Sequence, residues 1–265
     1  MKIAFIVNPV SGTKEKENII SLIYNVFHES HYLVSLHLTR YAGHATELAS
    51  ELAQKNDIVV AVGGDGTLNE VAQGLINSNV LLGLVPCGSG NGLARHLNIP
   101  LKPIKALKAI KNGALHPVDL LYFNGLPFLN LSGIGFDAYV AHKFAESAKR
   151  GFLSYVQNVV RAYFKFEPIR CVIEVNGEVL ERRVFLIAFA NSSQFGNNAV
   201  ISPVSEVNDG LMEVCILKPF PFYAIPIVIA RMFSGTMHRC RCSEIIQTQN
   251  VIISTTLPVA SHVDG

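Results

Sequence analysis

The stretch Asp57-Ile-Val-Val-Ala-Val-Gly63-Gly64-Asp65-Gly66-Thr67-Leu68-Asn69-Glu70 constrains this chain more than any other. Its apolar, β-branched run bounded by turn signals reads as a buried parallel strand. The strand empties into three glycines wrapped around one carboxylate, and the pattern predicts a helix from about Thr67. Glycines let successive backbone N–H groups face one concavity, and the helix adds its positive N-terminal end, so an anion is held without any basic side chain. A nucleotide's phosphates are the natural occupant. Asp65 would repel them unless Mg²⁺ or a proton-carrying substrate hydroxyl lies between. A plainer alternative is a tight strand-to-helix turn with Asp65 as the cap, but a cap does not need three glycines.

The first part of the chain alternates strand and helix patterns: Lys2–Asn8 then Lys14–His28, Leu33–Thr39 then His44–Lys55, Asp57–Val62 then Thr67–Ile76, and Val80–Pro86 then Leu93–Leu97 and Ile104–Lys111. Such alternation predicts an α/β domain, a parallel sheet with helices on both faces, and ligands in such sheets sit at the carboxyl ends of strands. Three of those ends carry special chemistry: Asn8-Pro-Val-Ser11-Gly12, Gly63-Gly64-Asp65-Gly66-Thr67 and Pro86-Cys-Gly88-Ser89-Gly90-Asn91-Gly92. They are expected to line one crevice. From about His116 the texture changes to strands joined by Asn124-Gly125 and Asn176-Gly177, the hairpin signal, so a β-rich domain over 116–265 is expected to follow an α/β domain over 1–115. One helical pattern, about Ala138–Phe164, interrupts it; Val140, Phe144, Phe152, Val156, Val159 and Val160 supply an apolar face and Gly151 a break.

Composition excludes several classes. Lysine plus arginine is 22 against 20 acidic residues, a formal net charge of +2 with no long basic run, so no nucleic-acid footprint is indicated. Hydrophobic residues make up 49% and mean hydropathy is +0.32, rich for a water-soluble protein but spread over short runs. The nearest approach to a membrane span, Pro219–Phe233, is interrupted by Pro221, Pro226 and Arg231 and reads as a strand end plus a short helix. Met1–Val7 lacks a small-residue cleavage site and reads as a first strand, not a secretory signal. Five scattered cysteines, of which only Cys240 and Cys242 are close, fit reduced cytosolic thiols.

Taken together, Asn8-Pro-x-Ser-Gly, Thr39 with Gly43-His44-Ala45, the Gly63–Glu70 run and Pro86-x-Gly-Ser-Gly-Asn-Gly-Leu-Ala-Arg95 resemble the diacylglycerol kinase catalytic-domain family, which includes bacterial lipid kinases, sphingosine kinases and ceramide kinases. The likeness continues at Gly135-Phe-Asp137-Ala138, Asn191-Ser-Ser-Gln-Phe195-Gly196, Asp209-Gly-Leu211 and Val263-Asp264-Gly265, and so spans nearly the whole chain. It implies an N-terminal α/β nucleotide domain, a following β-sandwich, an active site in the cleft between them, and ATP with Mg²⁺ as cofactors.

Carried over residue by residue, the resemblance gives Asn8, Ser11 and Gly12 to the first nucleotide loop, Thr39 to the nucleoside, and Gly63, Gly64, Asp65, Gly66 and Thr67 to the phosphates. Glu70 follows one helical turn later and reaches either the nucleotide or a surface ion pair. Gly88, Ser89, Gly90 and Asn91 match the second loop, with Asn91 also toward the lipid headgroup; Asp137 is a substrate contact. Asp65 and Asp264 are the implied catalytic carboxylates, and which of them takes the proton stays open. Asp65, Asp209 and the Leu211 carbonyl are the implied metal ligands. Lys149 and Arg150 read as a solvated helix end. The implied partners are a lipid substrate and, transiently, a membrane surface, with a homodimer among the assemblies allowed and a cytoplasmic location at the membrane's inner face.

Two cues on the lipid conflict: Asp137, with Ala141 where sphingosine kinases place an acid, favours a diacylglycerol-like acceptor, while Gly88-Ser-Gly-Asn91 is closer to the sphingosine and ceramide kinases. The family's Asp-Gly at Asp264-Gly265 continues to a glutamate implied in proton abstraction. We expect the chain as given to stop short of the family's full length; were the end natural, a non-catalytic nucleotide or lipid binder becomes a serious reading. NAD kinases and phosphofructokinases share the Gly-Gly-Asp-Gly loop but not the Asn69-Glu70 that follows it or this second loop. A dinucleotide-binding oxidoreductase requires Gly-x-Gly-x-x-Gly where Asn8–Gly12 stands.

Overall fold

Strands β1 (Lys2–Val7), β2 (Leu33–Leu38), β3 (Ile58–Gly63) and β4 (Leu81–Pro86) pair in parallel in the order β2-β1-β3-β4. This is a computed structural model, and it describes residues 1–12, 18–113, 115–145 (141–145 as backbone) and 161–264. Helices α1 (Ile19–Val26), α2 (His44–Ala53), α3 (Asp65–Leu75), α4 (Gly92–His96) and α5 (Pro103–Asn112) connect and cover the sheet. Every residue of the inner strand β3 is buried, which is why its sequence reads as a continuous apolar run without alternation. Ile3, Phe5 and Val7 with Ile58, Val60 and Val62 pack against Ile19, Ile23 and Val26 of α1 and Ala106 and Leu107 of α5. Successive strand side chains point to opposite faces. The equally buried Ala4, Ile6, Val59 and Ala61 therefore face the second layer, where α2 and α3 pack on each other and on β1 and β3. Burying one such aliphatic side chain is worth about 1.5–3 kcal/mol. Helix propensities differ by only some tenths of that, so packing decides these short helices.

The helix after β3 opens two residues earlier than the sequence pattern suggests. Gly64 is its N-cap in an extended conformation, and Asp65 is its first helical residue. Residues 14–17 of the expected helix Lys14–His28 lie outside the described residues.

These elements form one compact unit, Met1–Pro117 together with Phe195–Asn198; a second comprises Val118–Gln194 and Ala199–Gly265. In the second, hairpin β5 (Leu121–Phe123) and β6 (Leu126–Phe128) turns at Asn124 and Gly125, both at positive φ. Strands β7 (Leu131–Gly135), β8 (Ile169–Val175), β9 (Glu178–Val184), β10 (Leu186–Ala190), β11 (Met212–Leu217), β12 (Ser243–Thr248), β13 (Val251–Thr255) and β14 (Ser261–Val263) complete two antiparallel sheets, β12-β11-β10-β7-β14 and β13-β8-β9. Asn176 and Gly177, again at positive φ, make the two-residue turn between β8 and β9 that such a dipeptide dictates. Cys171, Ile173, Val175 and Val184 of one sheet share a core with Ile134, Ile187, Phe189, Met212, Val214 and Ile216 of the other, so the pair is a sandwich.

Of the helix expected over Ala138–Phe164, α6 (Phe136–Ala145) and a helical turn at 161–165 are described. Lys149, Arg150, Gly151, Phe152, Val156, Val159 and Val160 lie outside the described residues. After β11 ends at Leu217, a 3₁₀ turn (Phe222–Ala224) leads into α7 (Ile225–Phe233). No helix among the described residues is long and apolar enough to cross a membrane.

Candidate active site

The three special strand ends of the first unit come together. Asn8 Nδ2 donates to Thr67 Oγ1 at 3.0 Å, tying the loop after β1 to the start of α3. The first loop is itself folded by Asn8, whose Oδ1 accepts the Val10 N–H (3.0 Å) and whose carbonyl accepts the Ser11 hydroxyl (3.2 Å). Gly12 holds φ +77°, and a Cβ there would come within 1.6 Å of the Cys87 carbonyl oxygen. Gly64 and Gly88 touch backbone to backbone, since a Cβ on Gly88 would lie 2.4 Å from the Gly64 Cα. Close approach of three loops thus explains most of the glycines. Gly66 and Gly90 differ: a Cβ on Gly90 would meet only ordinary contacts from 3.4 Å, and Gly66 is exposed and helical, with nothing among the described residues within 4 Å of a Cβ.

Asp65 does not cap its own helix. Its Oδ2 accepts the Gly92 N–H at 3.1 Å and its Oδ1 the Leu93 N–H at 3.4 Å, so it serves the N-terminus of α4 and pins the second loop to the first turn of α3. Burial holds its pKa above the usual 3.8, and those N–H groups oppose the rise. Asn91 stands at φ 53° and closes the second loop on itself: its Oδ1 accepts the Gly88 N–H (2.9 Å) and its Nδ2 donates to the Gly88 carbonyl (2.8 Å). Ser89 is exposed at the tip. Arg95, quoted above only as a motif member, is the clamp of this loop. Its Nε donates to the Gly90 carbonyl (3.0 Å) and its Nη1 to Asn198 Oδ1 (3.0 Å), holding the Phe195–Asn198 segment within the same unit.

Other expected residues have structural occupations. Glu70 Oε2 accepts the Ala45 N–H at 3.2 Å and so caps α2; neither a nucleotide contact nor a surface ion pair is needed to explain it. Thr39 continues β2 by donating its N–H to the Val7 carbonyl at 3.0 Å, at the same end of the sheet as Asn8. In the second unit Asp264 is buried at φ 51° and accepts three backbone N–H groups, from Leu129, Asn130 and Leu131, at 2.9 to 3.0 Å. Its oxygens organise the turn before β7.

Asp137 lies in the first turn of α6 with Oδ2 2.8 Å from His262 Nε2. An ionised carboxylate only accepts, so His262 donates. The pair sits over Gly133, where a Cβ would be 2.9 Å from Asp137 Oδ2 and 3.0 Å from His262 Nε2. The remaining atoms, Asp137 Oδ1 and His262 Nδ1, are buried without a hydrogen-bond partner among the described residues. Such unpaired acceptors are costly and are retained where chemistry or a bound group uses them. Sequence reading missed His262 because its partner is 125 positions away and no local signal marks it.

Mg²⁺ needs only one or two carboxylates beside a substrate's phosphates. No group of three or more His, Cys, Asp or Glu gathers among the described residues, but the single carboxylate of Asp65 under the converged loops fits that sparse requirement. The turn at Asp209 is held by hydrogen bonds within the protein. Its Oδ1 accepts the Leu211 N–H (3.0 Å) and its Oδ2 the Gln247 amide (3.1 Å), while Asp119 holds the Gly210 N–H (2.7 Å). A cavity of about 330 Å³ inside the second unit, bordered by Phe128, Ile134, Phe189 and Met212, shares no lining residue with any expected site.

Residues 2–123 match the diacylglycerol kinase catalytic domain, and residues 131–265 match the YegS C-terminal NAD kinase beta sandwich-like domain. A diacylglycerol kinase of Bacillus subtilis (strain 168) is 32% identical over 219 residues, which is 80% of this chain and 72% of that protein. A Pseudomonas putida protein named "Probable lipid kinase YegS-like" is 32% identical over 71% of this chain, a match spanning 65% of its own length. A crystal structure from Bacillus anthracis described as a diacylglycerol kinase superposes on the whole chain, covering 89% of that structure, with TM-score 0.76 at 21% identity, a likeness of fold. The chain belongs to the family of diacylglycerol kinases and YegS-like lipid kinases.

Proposed function

We propose that the protein transfers the γ-phosphoryl group of ATP to the hydroxyl of a diacylglycerol-like lipid, with a sphingoid base or ceramide as the second choice of acceptor. One observation carries the reading. Packing accounts for Gly63, Gly64 and Gly88, yet nothing among the described residues requires Gly66 to lack a side chain, and it lies at a helix N-terminus where phosphates are favoured. A ligand that approaches the backbone there supplies the missing reason.

In the transfer, the bond between the γ-phosphorus and the β–γ bridging oxygen breaks, the lipid oxygen bonds to phosphorus, and the hydroxyl proton leaves to a base or to water. The protein's contribution is alignment and charge neutralisation. The first turn of α3 and the Gly88–Asn91 loop would seat the phosphates. Asn8 and Thr67 fix the first loop against them. Mg²⁺, when bound, supplies charge neutralisation on the phosphate oxygens, and Asp65 would hold it directly or through water. Because Asp65 also pins the second loop, its charge and the loop's shape are coupled. For Asp137 and His262 we propose a contact, through water, with the polar end of the lipid.

Labelled ATP, Mg²⁺ and a total lipid extract incubated with the protein test this. Labelled lipid from the wild type, reduced about 10²-fold or more in Asp65→Asn, is the expected result. A labelled NAD product with no labelled lipid would mean an NAD kinase instead. The involvement of Asp264 in three structural hydrogen bonds favours a second reading, a nucleotide-binding homologue without catalysis. ATP binding with no transfer to any lipid would establish that reading.

A further inference from the structure

Helix α7, Ile225-Pro-Ile-Val-Ile-Ala-Arg-Met-Phe233, is apolar except for Arg231, and a helix so rich in apolar residues is expected to be largely buried. Here only Val228 is fully buried. Ile227, Ile229 and Phe233 are 58%, 48% and 60% exposed, and Phe222 and Tyr223 on the preceding 3₁₀ turn are 52% and 80% exposed. Phe164, 65% exposed on the 161–165 turn, joins them with its ring 5.0 Å from that of Phe222. A loose surface would not keep these groups in place, but an aromatic ladder does: Phe164 meets Tyr163, Tyr163 meets the buried Phe185 at 5.6 Å, and Phe185 meets Phe220 at 5.1 Å. The Tyr163 hydroxyl donates to the Phe220 carbonyl, and the Met232 carbonyl accepts the Val200 N–H. Exposed apolar side chains gathered on one helix and the turns packed beside it mark an interaction site.

Its charge identifies the partner. From Pro219 to Ser243 the sequence holds Arg231, Arg239 and Arg241 and no Asp or Glu, and Phe164 is flanked by the exposed Arg161 and Lys165. Exposed Glu167 also lies near Phe164, but cations outnumber it, and apolar side chains with an excess of cations suit the boundary between acyl chains and anionic headgroups. We infer that the face formed by Phe222–Phe233 and 161–165 docks on an anionic lipid bilayer. This rests on the lipid-kinase reading for its purpose, since a lipid acceptor has to be met where it is dissolved, but the face stands on its own geometry.

The test pairs vesicle binding with activity in the full chain. Wild type and a double variant, Ile227→Glu with Phe233→Glu, are co-sedimented with vesicles of equal parts phosphatidylglycerol and phosphatidylcholine, and with phosphatidylcholine alone. Both are then assayed on diacylglycerol carried in the anionic vesicles and on short-chain diacylglycerol dispersed in detergent. Expected are wild-type binding to the anionic vesicles that weakens with added salt and at least a tenfold loss of it in the variant, with phosphorylation lost on vesicles and kept in detergent. Equal vesicle binding by wild type and variant would overturn the inference. So would a dimer of the wild type in sedimentation velocity that the substitutions abolish, because a second copy would then be the occupant. If neither form phosphorylates lipid in either presentation while vesicle binding still depends on the face, the kinase reading fails and the docking surface survives.

Discussion

A glycine that no neighbour demands is informative, because the residue carries an entropic cost. In a helix, glycine is about 0.5–1 kcal/mol worse than alanine. At Gly66 a methyl group would meet no atom of the described residues within 4 Å and the backbone is helical, so Gly66→Ala is expected to hold or raise the melting temperature. The same methyl group would stand where the phosphates are proposed to approach. Affinity for ATP, measured by titration calorimetry, is expected to fall at least tenfold. Unchanged affinity would move the nucleotide elsewhere. Asp65 teaches the opposite lesson about residue-scale reading: its type and position were legible in the sequence, but its hydrogen bonds to Gly92 and Leu93 were not. The same holds for Glu70, whose partner Ala45 lies in another helix. A capping acceptor and a ligand-binding acceptor look alike until the donors are placed.

At the scale of elements, the two sheets of the second unit are joined by charge as well as by their core. Arg182 of β9 makes two hydrogen bonds to Glu244 of β12, at 3.1 and 3.2 Å, and Lys218 reaches Glu244 at 2.8 Å. Arg182 first, and Lys218 after it, hold the Glu244 carboxyl down to about 2 from 4.5. A lowered folded-state pKa contributes stability that is present above 4.5 and lost as the pH falls through about 2. The site is partly exposed, so the full shift overstates the effect, and about 1–2 kcal/mol is expected. Urea unfolding should show Glu244→Gln less stable than wild type by that amount at neutral pH, with the gap closing between pH 4.5 and 2. A gap independent of pH would mean that packing, not charge, is lost. The Asn-Gly turns and the β3-to-α3 junction were readable in advance, because glycine and asparagine accept backbone conformations that other residues resist. The two-residue shift in the start of α3 was not, because Gly64 and Asp65 suit either side of the boundary.

On the scale of the molecule, each unit has its own hydrophobic core, one between the parallel sheet and its helices and one inside the sandwich. A ligand bound by the native state alone protects the region that holds it. ATP with Mg²⁺ is therefore expected to slow amide exchange in segments 8–12, 63–70 and 86–95 of the first unit, measured by mass spectrometry, by roughly the factor set by its excess over Kd. Uniform protection, or none in these segments, would argue against the proposed seat.

Periodicity, glycine placement and turn chemistry are local properties, and they were enough to determine the α/β half and the β-rich half. What tertiary structure decided was pairing. Which carboxylate meets which backbone N–H, that Asp264 organises a turn, that His262 stands beside Asp137, and that an apolar helix is left facing out all depend on residues far apart in sequence. A hydrogen bond acts over about 3 Å and a buried contact over about 4 Å. No one-dimensional pattern encodes separations of that size between distant segments.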